Sequence, residues 1–240
     1  MKHNTILSKH IDMKNCLVLS GQYRTFDKTC ESIKQFIEKN NLDVYCNIWY
    51  ENDEQLDKIQ NELRPKSLSV LYQDLYGDMF QQIENNIRTN NPKGPNQDKL
   101  AGNASMNFCK KSAYDLVPSG YDVIVSSRYD LMLGSMVIEN IPPVVITPTE
   151  QAYAIISDIF AVLPTQFAKH YFLSDVYEKL HSTKFEPEFI EFLKTQHNYP
   201  DRDINIHNNE RYCPHMMLLR NLIMNNVPFT QMDLPVRIER

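Results

Sequence analysis

Four short stretches combine charged, hydroxyl and small residues in patterns that suit chemistry. The first, Ser20-Gly21-Gln22-Tyr23-Arg24-Thr25, lies where an apolar run stops and helical spacing begins. Free backbone N–H groups at such a strand-to-helix turn suit a phosphate, and Gly21 permits close backbone approach. Arg24 adds a fixed positive fork for a diphosphate and Tyr23 a face for a nucleobase. A plain turn with one surface arginine fits the same spacing. The second, Val123-Ile124-Val125-Ser126-Ser127-Arg128-Tyr129-Asp130, is an apolar strand running into an arginine, an aromatic and a carboxylate. Asp130 at a strand end can hold Mg2+ or Mn2+ against two phosphates, since hard cations prefer oxygen ligands. Arg128 either supplies the positive charge itself or pairs with Asp130.

The third stretch, Ile156-Ser157-Asp158-Ile159-Phe160-Ala161, reads as an apolar strand interrupted by an aspartate, which is costly unless the carboxylate is paired or functional. Asp158 suits a general base on an acceptor hydroxyl or a ligand for sugar hydroxyls; a helix-cap or turn carboxylate is the alternative. The fourth, Asn208-Asn209-Glu210-Arg211-Tyr212-Cys213-Pro214-His215, gathers polar residues before an apolar helix. His207 and His215 suit a metal or phosphate site there, although a histidine on a first helical turn is often merely solvated.

The elements that must position these residues follow from periodicity. Asn15 to Ser20 is a short apolar run ending at Gly21 and reads as a buried parallel strand. Cys30, Ile33, Phe36 and Ile37 recur at helical spacing from Asp27 to Asn40. Asp43 to Tyr50 is then a strand, Asp53 to Leu63 a helix stopped by Pro65, and Ser67 to Tyr72 a third strand. This alternation predicts an α/β fold with a mostly parallel sheet flanked by helices. Gly77 to Gly102, rich in Asn, Gln, Pro and Gly, reads as a long loop able to gate a site. A helix follows from Asn103 to Leu116 and a strand from Tyr121 to Ser127. Short strands are expected at Val137 to Ile138, Val144 to Ile146 and Ala152 to Ile156. Helices are expected from Pro164 to His181 and from Pro214 to Asn225.

Composition narrows the class. The 240 residues suffice for one sizeable core, and 42% apolar residues with 13 tyrosines and 11 phenylalanines mark a globular chain. A net charge of −5 lacks the basic footprint of a nucleic-acid binder. No apolar run reaches the roughly 20 residues of a membrane span. Met1 to Lys14 is polar, without the apolar core of a secretory signal, so a cytoplasmic location is expected. The five cysteines form no CxxC pair, and buried free thiols are the expected reading.

Six segments in fixed order resemble bacterial and viral GT-A-type glycosyltransferases related to lipopolysaccharide and capsule synthesis proteins. They are Ser20 to Arg24, Asp43 to Trp49, Asn103 to Leu116, Tyr121 to Leu131, Ser157 to Ala161 and Pro214 to Leu218. The resemblance implies a GT-A-like (Rossmann-like) single domain over residues 15–240 after an N-terminal extension. It also implies a nucleotide-diphospho-sugar donor, a glycan acceptor and a role in polysaccharide biosynthesis. Arg128-x-Asp130 stands where related folds carry the Asp-x-Asp that binds metal and diphosphate, so Asp130 is the implied ligand and Arg128 the departure. Asn103, Asn107 and Lys110 are implied to face the donor, and His215 occupies a position where relatives often carry Glu. In the mechanism this suggests, displacement at the anomeric carbon, Asp158 is the first choice for an acceptor-side carboxylate. A sugar nucleotidyltransferase fits less well, because SGQYR has one glycine where such enzymes usually carry a Gly-rich, basic loop. A carbohydrate- or nucleotide-binding module without catalysis is the reading outside enzymes.

Overall fold

The computed structural model describes residues 13–90, 100–138, 144–148, 156–172, 186–197 and 214–239. Strand β1 (Asn15–Gly21) is apolar along its length because it lies mid-sheet with both faces covered. Cys16 and Val18 enter the core on one face, Leu17 and Leu19 the core on the other. Helix α1 (Phe26–Lys39) buries Phe26, Cys30, Ile33 and Phe36 at three- and four-residue spacing against the second face. Asp27 in its first turn and Lys39 in its last complement the helix dipole. Strand β2 (Asp43–Trp49) leads to helix α2 (Asp53–Leu63). The Asn52 side chain caps α2 by accepting from the Gln55 N–H at 3.0 Å, and Arg64 ends it in the left-handed region before Pro65.

After β3 (Ser67–Leu71) the structure departs from expectation. The Gly77 to Gly102 stretch is not one loop: α3 (Gln73–Asn90) runs through Gly77, and α4 (Leu100–Tyr114) begins before Gly102. Tyr76, Met79, Phe80 and Ile83 form an apolar face on α3 that packs with Trp49 and Phe108, and this burial outweighs the weak propensity of the Asn-rich sequence. Then come β4 (Val123–Ser127), β5 (Leu131–Leu133), β6 (Val145–Pro148) and β7 (Ala161–Pro164). Helices α5 (Thr165–Tyr171), α6 (Pro187–His197) and α7 (Pro214–Met224) precede β8 (Phe229–Met232) and β9 (Val236–Ile238). Val137 and Ile138 form no strand, and Asp158 lies in a bend ahead of β7 rather than inside a strand. Residues 1–12 of the expected extension, 152–155 of the expected strand and 173–181 of the expected helix fall outside the described residues.

Among the described residues the main sheet has seven strands in the order β3-β2-β1-β4-β7-β6-β8. Only β7 runs against the rest, antiparallel to both β4 and β6, so the sheet is mostly parallel as expected. The chain winds outward from β1 through β2 to β3, then returns to place β4 on the other side of β1. This reversal makes a topological switch point between β1 and β4, and a crevice opens beyond the strand ends at such a point. β5 and β9 pair in a separate two-stranded sheet.

Candidate functional site

The switch point positions the first two candidate stretches together. β1 ends at Gly21, whose φ of 128° lies in the region that favours glycine, and the chain turns into α1 through Arg24. Arg24 has a φ of 45°, an uncommon conformation for a side-chain-bearing residue and one that concentrates at functional sites. β4 ends at Ser127, and Arg128 and Asp130 follow directly. Arg24 Nη1 donates to Asp130 Oδ2 at 2.9 Å, and Arg128 Nε donates to Asp130 Oδ1 at 2.9 Å. Arg128 Nη2 also bonds Oδ2, so Arg128 grips the carboxylate bidentately while Arg24 approaches it from β1. Burial presses the Asp130 carboxyl upward, but the Arg128 bond and charge, joined by Arg24, hold it below the ordinary carboxylate range.

Tyr129, between them, is fully buried, with its ring edge-on to Phe26 and its hydroxyl donating to the Asn47 carbonyl at 3.3 Å. Glu239, just past the far strand β9, completes the turn. The Glu239 N–H donates to the Asp130 carbonyl at 2.9 Å, and Thr25 Oγ1 donates to the Glu239 carbonyl at 3.1 Å.

Above this cluster is a cleft of about 750 Å³. Ser20, Gly21, Gln22, Arg24, Arg128 and Asp130 line its charged end, and Asn103, Ser105 and Met106 of α4 line a wall. Trp49 at the end of β2, together with Gln73, Gly77, Phe80 and Gln81 of α3, lines the remainder. The sequence reading named none of these last five as a site residue, although Gly77, Phe80 and Gln81 fell in the expected gating loop. Trp49 carried a usable signal, since it closes a parallel strand and strand ends border such crevices. Gln73 to Gln81 did not, because the segment read mostly as loop. Tyr23 does not reach the cleft: it is 3% exposed, edge-on to Phe26, and donates its hydroxyl to Asp27 Oδ1 at 2.6 Å. It offers no free face to a base.

Asp158, Lys110 and His215 form a second cluster. Lys110 and Asp158 are 2% and 5% exposed. The Lys110 ammonium bonds the Asp158 carbonyl and lies 3.9 Å from Asp158 Oδ2. His215 Nδ1 lies 3.0 Å from the Ile156 carbonyl oxygen and 3.4 Å from Asp158 Oδ1, so the backbone contact is the closer. Burial raises the Asp158 carboxyl, and the charges of Lys110, His215 and Arg128 together bring it below its ordinary value. Burial lowers the Lys110 ammonium against the pull of Asp158. Asn103, Asn107 and Lys110 share one face of α4 at i, i+4 and i+7, leading from the cleft wall to this cluster. Asn107 Nδ2 donates to the Asn103 carbonyl at 3.1 Å. His207 and residues 208–213 lie outside the described residues.

A divalent cation does not fit at Asp130 as arranged. Both carboxylate oxygens already accept from guanidiniums, whose positive charge opposes a second cation. Among the described residues no group of three or more His, Cys, Asp or Glu side chains could hold a metal. The four described cysteines, Cys16, Cys30, Cys46 and Cys109, are buried free thiols as expected. No helix among the described residues is long and apolar enough to cross a membrane.

Fold and site together define an α/β protein with an arginine-lined switch-point cleft. No family model matches the chain, and none of the curated proteins does. Among solved structures it is similar to the glycosyltransferase GlyE of Streptococcus pneumoniae TIGR4, at 10% identity over 92% of this chain and a TM-score of 0.42. The apo form of GlyE gives 11%, 91% and 0.40. The chain spans 45% of the length of GlyE. Mouse xyloside xylosyltransferase 1 in its apo form is similar at 10% identity, over 92% of this chain and 84% of that one, with a TM-score of 0.40. The cleft is read below from its own geometry.

Proposed function

We propose that this chain is a glycosyltransferase that moves a sugar from a nucleotide-diphospho-sugar to a hydroxyl of a glycan acceptor. The observation that carries the reading is the convergence of Arg24 and Arg128, from the ends of adjacent parallel strands, at one end of the cleft. Two guanidiniums share one carboxylate, which leaves a net positive charge and spare N–H donors where a diphosphate would lie. The Arg24 side chain is 51% exposed, open to a ligand. Displacement at the anomeric carbon breaks its bond to the diphosphate oxygen, and the negative charge that develops there is met by fixed donors that need no reorganisation. These arginines supply the charge that a cation at Asp130 would otherwise supply.

In this reading Ser20, Gly21, Gln22 and Asn103 bind the donor beside the arginines, while Asn107 and Lys110 support that wall from α4. Asp158, with His215, organises the acceptor side through its buried pair with Lys110. The mostly parallel sheet is compatible with the GT-A-like platform that the sequence resemblance implies. A second reading, a nucleotide-sugar-binding module without turnover, draws on one fact: Asp130 is the only carboxylate lining the cleft among the described residues, and it is already paired.

Trp49, the sole tryptophan, lines the cleft and reports occupancy by its emission. The purified chain is titrated with UDP-, GDP-, CMP- and dTDP-sugars, each with and without Mn2+, following emission, melting temperature and release of the nucleotide. Expected is a response to one nucleotide class, unaffected by Mn2+, with release on adding acceptor glycans. Binding without release supports the module; no response to any donor sinks both readings.

A further inference from the structure

Gly77 and Gly102 stand inside helices, in α3 and α4, where alanine is the better helix former. Neither backbone requires glycine, since the positive-φ glycines among the described residues are Gly21 and Gly120. Nor does packing among the described residues require it, for a Cβ at either position meets none of them within 4 Å. Gly134 shows the contrast: there a Cβ would lie 2.5 Å from Pro235, so crowding explains the glycine. Gly77 and Gly102 instead line the cleft, together with the aromatic Trp49 and Phe80 and the amides of Gln73 and Gln81.

We infer, resting on the nucleotide-sugar reading, that Gly77 and Gly102 keep open the volume taken by the donor's nucleoside and so determine which nucleoside fits. The diphosphate lies at the arginine end, and the base and ribose extend between α3 and α4. Trp49 and Phe80 offer apolar surface to the base, while Gln73 and Gln81 offer both donors and acceptors to its edge. A methyl group at either glycine narrows this volume without touching the arginines.

The test uses Gly77→Ala and Gly102→Ala in the full chain. Affinities for UDP, GDP, CDP and dTDP, and for inorganic pyrophosphate, are read from Trp49 emission, and melting is followed without ligand. Each variant is expected to melt at or slightly above the native temperature, by about 1–3 °C. Each is expected to bind its nucleoside diphosphate about tenfold more weakly while pyrophosphate affinity stays native. Nucleoside diphosphate affinity within about twofold of native overturns the inference and leaves the functional reading standing. Parallel loss of pyrophosphate affinity also overturns it, by placing the effect at the arginines, and so does melting well below native, by making the glycines structural. A native chain that binds no nucleoside diphosphate sinks the functional reading and this inference with it.

Discussion

Asp130 meets Arg24 and Arg128 at the end of an open cleft, whereas Asp158 meets Lys110 and His215 within the packed interior. Both carboxyls are held below their ordinary range by the charges around them, against the opposing effect of burial. The partners differ. The Arg24 side chain is half exposed and that of Lys110 only 3%. A pair whose cations reach solvent can transfer their hydrogen bonds to an incoming anion; a sealed pair can only hold its own surroundings in place. In the proposed function the same residue type would thus serve recognition in one place and organisation in the other, and Arg128, whose charge acts on both carboxyls, joins the two.

The largest effect should come from breaking the sealed pair. Lys110→Met leaves the Asp158 carboxylate without the charge that lowers it most and should cost about 3–5 kcal/mol of stability, read by urea unfolding. A cost under about 1 kcal/mol would show that Asp158 is satisfied without Lys110 and would erase the contrast. Next comes the cleft: Arg128→Ala should reduce donor turnover by roughly a hundredfold or more while the chain stays folded. Native turnover in that variant removes Arg128 from the mechanism.

Acid should act through both carboxyls. Because each folded-state value is depressed, the unfolded chain binds protons first as pH falls. The stabilisation is therefore fully present above the ordinary value of 3.8 and is lost as pH drops through the lower folded values. Melting temperature should hold from neutrality to about pH 4 and fall below it, less steeply in Asp158→Asn than in the native chain. An unchanged acid limb in that variant would assign the loss elsewhere. The smallest stability effect belongs to Arg24→Ala, at under about 1 kcal/mol because its head group is solvated. Its pyrophosphate affinity should nevertheless fall about tenfold, which isothermal titration would measure.

Much of this comparison was legible in sequence, but unevenly. Helix α2 occupies the expected Asp53–Leu63, because a capping Asn52 and the stop at Pro65 are local signals. Strand β1 and the turn to Arg24 were equally plain. Asp130 was found for its strand-end position, yet its ion pair with Arg24 joins residues 106 apart, which no periodicity encodes. Asp158 was singled out as an aspartate in apolar company, and its Lys110 partner is 48 residues away. The reversal of β7 also escaped, since a short apolar run reads the same in either direction. In α3 the apolar spacing of Tyr76, Met79, Phe80 and Ile83 was present but masked by surrounding asparagine and glutamine, and only tertiary burial decides between helix and loop there.

The bonds from Glu239 to Asp130 and from Thr25 to Glu239 tie the two arginine-bearing turns to the residue just after β9, more than a hundred residues beyond the second turn and 214 beyond Thr25. During vectorial synthesis β1, α1 and β4 leave the ribosome long before β9 does. The turns can fold early, but their clasp arrives late: a nascent chain carries both arginine-bearing turns before it carries the Glu239 backbone that ties them together.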